Sequence, residues 1–158
     1  MSPRGHAHAI LVAACLVAMA AAAGCTSQRA PAPPRVTING KSWLVDLAVT
    51  PEQQSLGLAG RQQLSDEAGM LFVFRRAEVR NFCMRGCVIP LDIAFIGDDM
   101  RVVRTHTMAV EPDRAGRIIY SSDSPARYAL ETAAGSLEAA GVKVGDPVTF
   151  SGDIPTDK

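Results

Sequence analysis

The sequence predicts a mostly β fold, an antiparallel sandwich or jelly-roll-like barrel with one or two short helices. Three observations carry this. Short β-branched and aromatic runs recur at roughly 8–12-residue spacing, separated by Gly, Pro and Asn turn signals. The helical patterns between them are very short. No strand–helix alternation with a glycine phosphate loop is present.

Residues 1–24 stand apart from that pattern. A single Arg4 precedes an apolar run from Ile10 to Ala23, about 14 residues long and ending in small side chains. This is the layout of a secretory signal, and it is short of the ~20 residues a spanning helix needs. Ala22-Ala23-Gly24-Cys25 resembles a bacterial lipobox, in which diacylglycerol is added to the cysteine and the chain is cut before it. We therefore expect lipidation at Cys25, with Leu in the usual lipobox replaced by Ala22. Thr26 following the cysteine points to the outer membrane in a diderm cell. Residues 25–35 hold three prolines and read as a semi-rigid tether, leaving 36–158 as one β domain.

The elements follow in order. Val36–Gly40 and Trp43–Val49 read as two strands joined by an Asn39-Gly40 turn. Thr50, Pro51 and Gln53 form the start signal of a short helix, which Gly57 or Gly60 ends. Met70–Phe74 reads as a buried strand. Asn81–Met84 and Cys87–Ile96 read as a pair around a tight turn. Arg101–Val110 and Tyr128–Ala133 are strands, Gly135–Gly141 holds one or two helical turns, and Pro147–Ser151 closes the sheet.

Charge narrows the function. The 158 residues carry 16 basic and 16 acidic side chains, but from residue 36 onward 13 basic face 16 acidic, a net of −3. A mildly acidic domain argues against a nucleic-acid partner and against electrostatic adhesion to anionic lipid. The expected membrane contact is the lipid on Cys25, and the expected state is a monomer.

The densest chemistry lies between Phe82 and Phe95. If Met84-Arg85-Gly86 is a three-residue hairpin loop, Cys83 and Cys87 oppose each other and can pair as a disulfide staple. An oxidising envelope favours that pairing. Two alternatives use the same residues: a copper site of Cys83, Met84, Cys87 and His106, whose soft sulfur ligands suit Cu(I), and a redox dithiol. Asp92 and Glu131 are carboxylates inside apolar strands and need partners there. Arg85, Arg104 and Arg127 are candidates for ion pairing. A catalytic alternative makes Asp92 and Glu131 an acid/base pair in a hydrolase.

Several blocks then resemble one family. They include Gly57-Leu-Ala-Gly-Arg61, Gly69–Phe74, Met84, Ile89-Pro-Leu-Asp-Ile93, Tyr120-Ser121, Tyr128-Ala-Leu-Glu131 and Gly145-Asp146. In this order, over roughly 40–150, they resemble domain of unknown function 192. The resemblance implies a compact jelly-roll-like β domain, often exported, with no settled activity. The family usually carries Trp where Cys83 stands and Lys-Asn-Thr at 85–87, so both cysteines are departures within the loop. A shared function would then rest on Met84, Asp92, Tyr120, Glu131 and the glycines.

The leading expectation is a lipid-anchored, non-enzymatic envelope domain that takes a small ligand, a glycan or a protein partner without a cofactor. Its ligand candidates are Met84, Arg85, Asp92, Tyr120 and Glu131, lining a concave surface.

Overall fold

The computed structural model describes residues 32–156. Seven strands and two short helices run in the order β1 (Arg35–Ile38), β2 (Lys41–Ala48), α1 (Pro51–Leu56), β3 (Ala68–Phe82), β4 (Leu91–Ile96), β5 (Val102–Met108), β6 (Tyr120–Ala133), α2 (Ser136–Ala139) and β7 (Val148–Ser151). The strands form one sheet in the order β5-β4-β6-β3-β2-β1-β7. This sheet curls into a half-barrel. Its two edges touch where Arg101 bridges Pro147 and Val148 N donates to Met100 O at 2.8 Å. The mostly β expectation holds, as a single curled sheet.

Local signals explain the N-terminal half. Asn39 and Gly40 both take positive φ (50° and 80°), the geometry of a tight primed turn between β1 and β2. The predicted capping box forms. Thr50 Oγ1 accepts from Gln53 N at 3.3 Å, and Gln53 Oε1 accepts from Thr50 N at 3.0 Å. Gly57, with φ 50°, ends α1. The chain then crosses to β3, which lies parallel to β2, from Leu44 beside Ala68 to Ala48 beside Phe72. A parallel pair needs such a crossover, here containing α1. The remaining paired strands are antiparallel.

Two expectations are corrected. The tether ends sooner than expected: Arg35 already pairs with Leu44, and Pro34 O accepts from Val45 N at 3.0 Å. More consequentially, Asn81–Met84 and Cys87–Ile96 do not pair. β3 runs unbroken to Phe82 and pairs with β2 and β6, whereas β4 lies between β5 and β6. β6 wins the place beside β3 because it is 14 residues long and offers β3 a far longer ladder than a hairpin could. Cys83–Pro90 is therefore a loop, closed by a turn in which Cys87 N donates to Met84 O at 3.1 Å. The signal segment, Cys25 and most of the tether lie outside the described residues.

The sheet buries both faces. Inside the curl, Trp43, Val45, Leu71, Ala94, Ile96 and Leu130 form one core. On the opposite face, Phe72, Ile93, Phe95, Ala129, Met84 and Cys87 form a second, covered by the loops after β3 and α1. β4 is accordingly buried at every residue. Burying an apolar side chain contributes roughly 1.5–3 kcal/mol, so a strand sealed on both faces is among the most strongly held elements. Trp43 also donates Nε1–H to Ser136 Oγ at 2.9 Å, fixing α2 under the sheet.

Candidate functional site

Alternation along paired strands decides where the two buried carboxylates point. Asp92 pairs with Thr132, and Ile93 pairs with Glu131. Residues paired across a ladder share a face, and neighbours along a strand do not. Asp92 therefore points into the curl and Glu131 to the second core. Each is almost fully buried, at 2% and 4% exposure.

Their surroundings differ. Asp92 accepts from Thr107 Oγ1 at 2.8 Å and from Leu137 N at 3.0 Å, so it anchors the first turn of α2. Glu131 Oε2 is buried with no hydrogen-bond partner. Burial pushes its pKa up to about 8, so the carboxyl is protonated at neutral pH. Two of the expected arginine partners form ion pairs elsewhere, Arg104 with Asp123 at 3.4 Å and Arg127 with Asp98 at 3.3 Å. The proposed acid/base pair is not assembled, because the two carboxyls lie on opposite sides of the sheet.

Glu131 forms the floor of a cleft of about 420 Å³. One wall is the end of α1 and its exit turn, from Gln54 to Leu58. The other is the distal half of β3, with Phe74, Val79, Arg80 and Phe82, and the loop carrying Cys83, Arg85 and Cys87. Irregular pairing shapes this wall. Val73 pairs with Tyr128 but Glu78 with Ala126, so residues 74–77 bulge from the ladder. Bulges bend a strand and re-aim its side chains; here Phe74 turns to the cleft. Arg80 lies over the Phe74 ring at 4.1 Å, pairs with Glu78 at 3.4 Å and donates to the Arg76 carbonyl. Phe82 makes edge contacts with Phe72 at 4.9 Å and Phe95 at 5.4 Å between ring centroids.

Two glycines permit close packing, one in the cleft wall and one behind the Cys83–Cys87 loop. A Cβ on Gly57 would approach Phe72 Cζ at 3.4 Å and Glu131 Oε2 at 3.9 Å, directly above the floor. A Cβ on Gly116 would meet Arg85 Cβ at 2.7 Å and Cys83 Sγ at 2.9 Å. The loop 109–119 can thus press against the Cys83–Cys87 loop, and Gly86 N donates to Arg114 O at 3.1 Å. Glu111 braces it by accepting from Arg117 N at 2.9 Å and Ile118 N at 3.0 Å, which holds its carboxyl below the ordinary range.

Of the five expected ligand residues, the structure brings Arg85 and Glu131 together in the cleft. Met84 is fully buried in the second core, and Asp92 faces the curl. Tyr120 stands against His106 at 5.6 Å, and its hydroxyl accepts from Ala109 N at 3.3 Å. Cys83 and Cys87 both line the cleft as free thiols, without the cross-strand opposition a hairpin would give them. Burial, then the Glu131 and Cys83 charges, push the Cys87 thiol up to about 11, so it stays neutral. The expected copper set does not converge either. His106 Nε2 lies 2.7 Å from Ser121 O, its ring packs on Phe95, and no cluster of three His, Cys, Asp or Glu forms among the described residues. Phe74 and Arg80 were not singled out as site residues by the sequence. The signal that could have found them is the concentration of Phe and Arg in the strand from Phe72 to Phe82.

Comparison with known proteins places the chain. Residues 34–150 match the model of DUF192, described as "Uncharacterized ACR", and the chain belongs to that family. A crystal structure from Novosphingobium aromaticivorans DSM 12444, of unknown function, is 35% identical, with a TM-score of 0.67 over 75% of this chain and 84% of that one. Another, from Sinorhizobium meliloti 1021 and provisionally named a transcription regulator, is 31% identical, with a TM-score of 0.66 over 74% and 91%. No curated protein matches.

Proposed function

We propose that this DUF192 chain is an exported, lipid-anchored binding module that holds a small ligand in the Glu131 cleft. One observation carries the reading: a buried carboxyl oxygen without a partner forms the floor of an aromatic-walled cleft. Unpaired buried polar groups cost about 1–3 kcal/mol each, so they persist where something else satisfies them. The cleft volume lies within the ~300–1,000 Å³ range of small-molecule sites. Binding rather than catalysis is favoured by Glu131 being the one carboxylate among the described residues that line the cleft, and by the neutral state of Cys87. Export and anchoring rest on the apolar leader and on Cys25 in its lipobox-like context. The net of −3 from residue 36 onward supports a partner other than nucleic acid.

The test is a fragment screen by NMR on the protein and on Ser55→Trp, which fills the cleft mouth with an indole. Amide shifts clustered at Gly57, Cys83 and Glu131, and lost in Ser55→Trp, are expected. Hits confined to other surfaces would contradict the reading. For the anchor, metabolic labelling with radioactive fatty acid should mark the protein and fail in Cys25→Ala.

A further inference from the structure

The cleft changes character from mouth to floor. At the mouth, Arg85 is exposed and enters no ion pair among the described residues. Arg80, by contrast, is already engaged with Glu78, Phe74 and the Ala126 carbonyl. Between mouth and floor lie Phe72, Phe74 and Phe82, whose rings meet edge to face. The floor is the buried Glu131 carboxyl with its unpartnered Oε2.

Resting on the binding reading above, we propose that the ligand is a small planar aromatic carboxylate bearing a hydroxyl or carbonyl oxygen at the end remote from the carboxylate. Each part of that ligand answers one part of the cleft. The guanidinium of Arg85 offers a planar donor fork that matches a carboxylate. The partly exposed rings of Phe74 and Phe82 favour edge contacts with an aromatic ring. The far oxygen completes the hydrogen bonding of Glu131, which burial keeps protonated and able to donate. Orientation follows from solvation. A carboxylate at the floor would be desolvated beside a neutral acid with no cation in reach, a large penalty. At the mouth it keeps both water and Arg85. An aliphatic acid would leave the ring faces poorly used and Glu131 without its partner.

Calorimetric titration of the protein with 4-hydroxybenzoate, benzoate, 4-hydroxybenzamide and 4-hydroxybenzylamine tests this. The acid with the hydroxyl should bind most tightly. Removing the hydroxyl, or replacing the carboxylate by the amide, should each weaken binding about tenfold, the equivalent of one hydrogen bond or charge contact. The amine should bind more weakly still. Arg85→Gln, a change at an exposed position, should erase the preference for acid over amide while sparing the preference for the hydroxyl. If the amide or amine binds as tightly as the acid, the carboxylate assignment is wrong and the cleft remains a binding site. If benzoate equals 4-hydroxybenzoate, the Glu131 contact is wrong. If none of the four binds at millimolar concentration, this inference falls, and the fragment screen above decides the binding reading separately.

Discussion

Asp92 and Glu131 sit in adjacent strands, one register step apart, and meet opposite fates. Asp92 enters the curl and is satisfied by Thr107 and the Leu137 amide. Glu131 enters the other face, where its Oε2 has no partner and its pKa rises to about 8. The difference teaches which buried carboxylate is bound into the architecture and which is left unpaired beside a cleft. Burial alone does not distinguish them; the bonds around each one do. The satisfied carboxylate holds a helix in place, whereas the unsatisfied one keeps an unpaired oxygen at the floor of the cleft, the feature on which the proposed binding role rests.

The contrast can be broken most forcefully through pH. The folded pKa of Glu131 is above its ordinary 4.5, so between about 4.5 and 8 the folded protein binds the proton that the unfolded chain has released. Stability should therefore be untouched by this group below about 4.5, fall as pH rises to about 8, and level off beyond. The interval corresponds to up to about 5 kcal/mol. Cys87, whose thiol burial pushes up to about 11, stays neutral across this range and does not offset the decline. Urea unfolding from pH 5 to 9 should show that decline in the protein and a much flatter profile in Glu131→Gln.

Asp92→Ala should behave oppositely. It strands the Leu137 amide and loosens α2, so it should cost about 3 kcal/mol at neutral pH, measured by the same unfolding. Gly57→Ala should cost about 1 kcal/mol, since φ 50° suits alanine poorly and the new methyl meets Phe72. It should also weaken any ligand that reaches Glu131. Thr50→Ala removes the α1 cap and should cost about 1 kcal/mol. Smallest of all is Arg61→Ala. The pair with Asp46 at 2.8 Å is exposed on both sides, so thermal unfolding should move by less than about 0.5 kcal/mol equivalent.

Local features were legible in the sequence because local chemistry makes them. The Asn39-Gly40 turn, the Thr50–Gln53 capping box, and the apolar strands β4 and β6 all follow from neighbouring residues. The pairing of β3 with β6 across some 50 residues was not legible, since period-2 alternation fixes a strand's faces but not its partner. That one misassignment created the expected hairpin and with it the opposed cysteines. It also hid the bulge at 74–77 that turns Phe74 to the cleft. Glu131 was singled out correctly as a carboxylate in an apolar strand. Asp92 carried the same signal, and the register that separates the two faces emerges only once three strands are assembled.

The most direct measurement is the ¹³Cδ NMR titration of Glu131 in the folded protein. A midpoint near 8, displaced on addition of 4-hydroxybenzoate, is what the account predicts. A midpoint near the ordinary 4.5, unmoved by ligand, would mean that the floor of the cleft is already solvated or paired, and would contradict it.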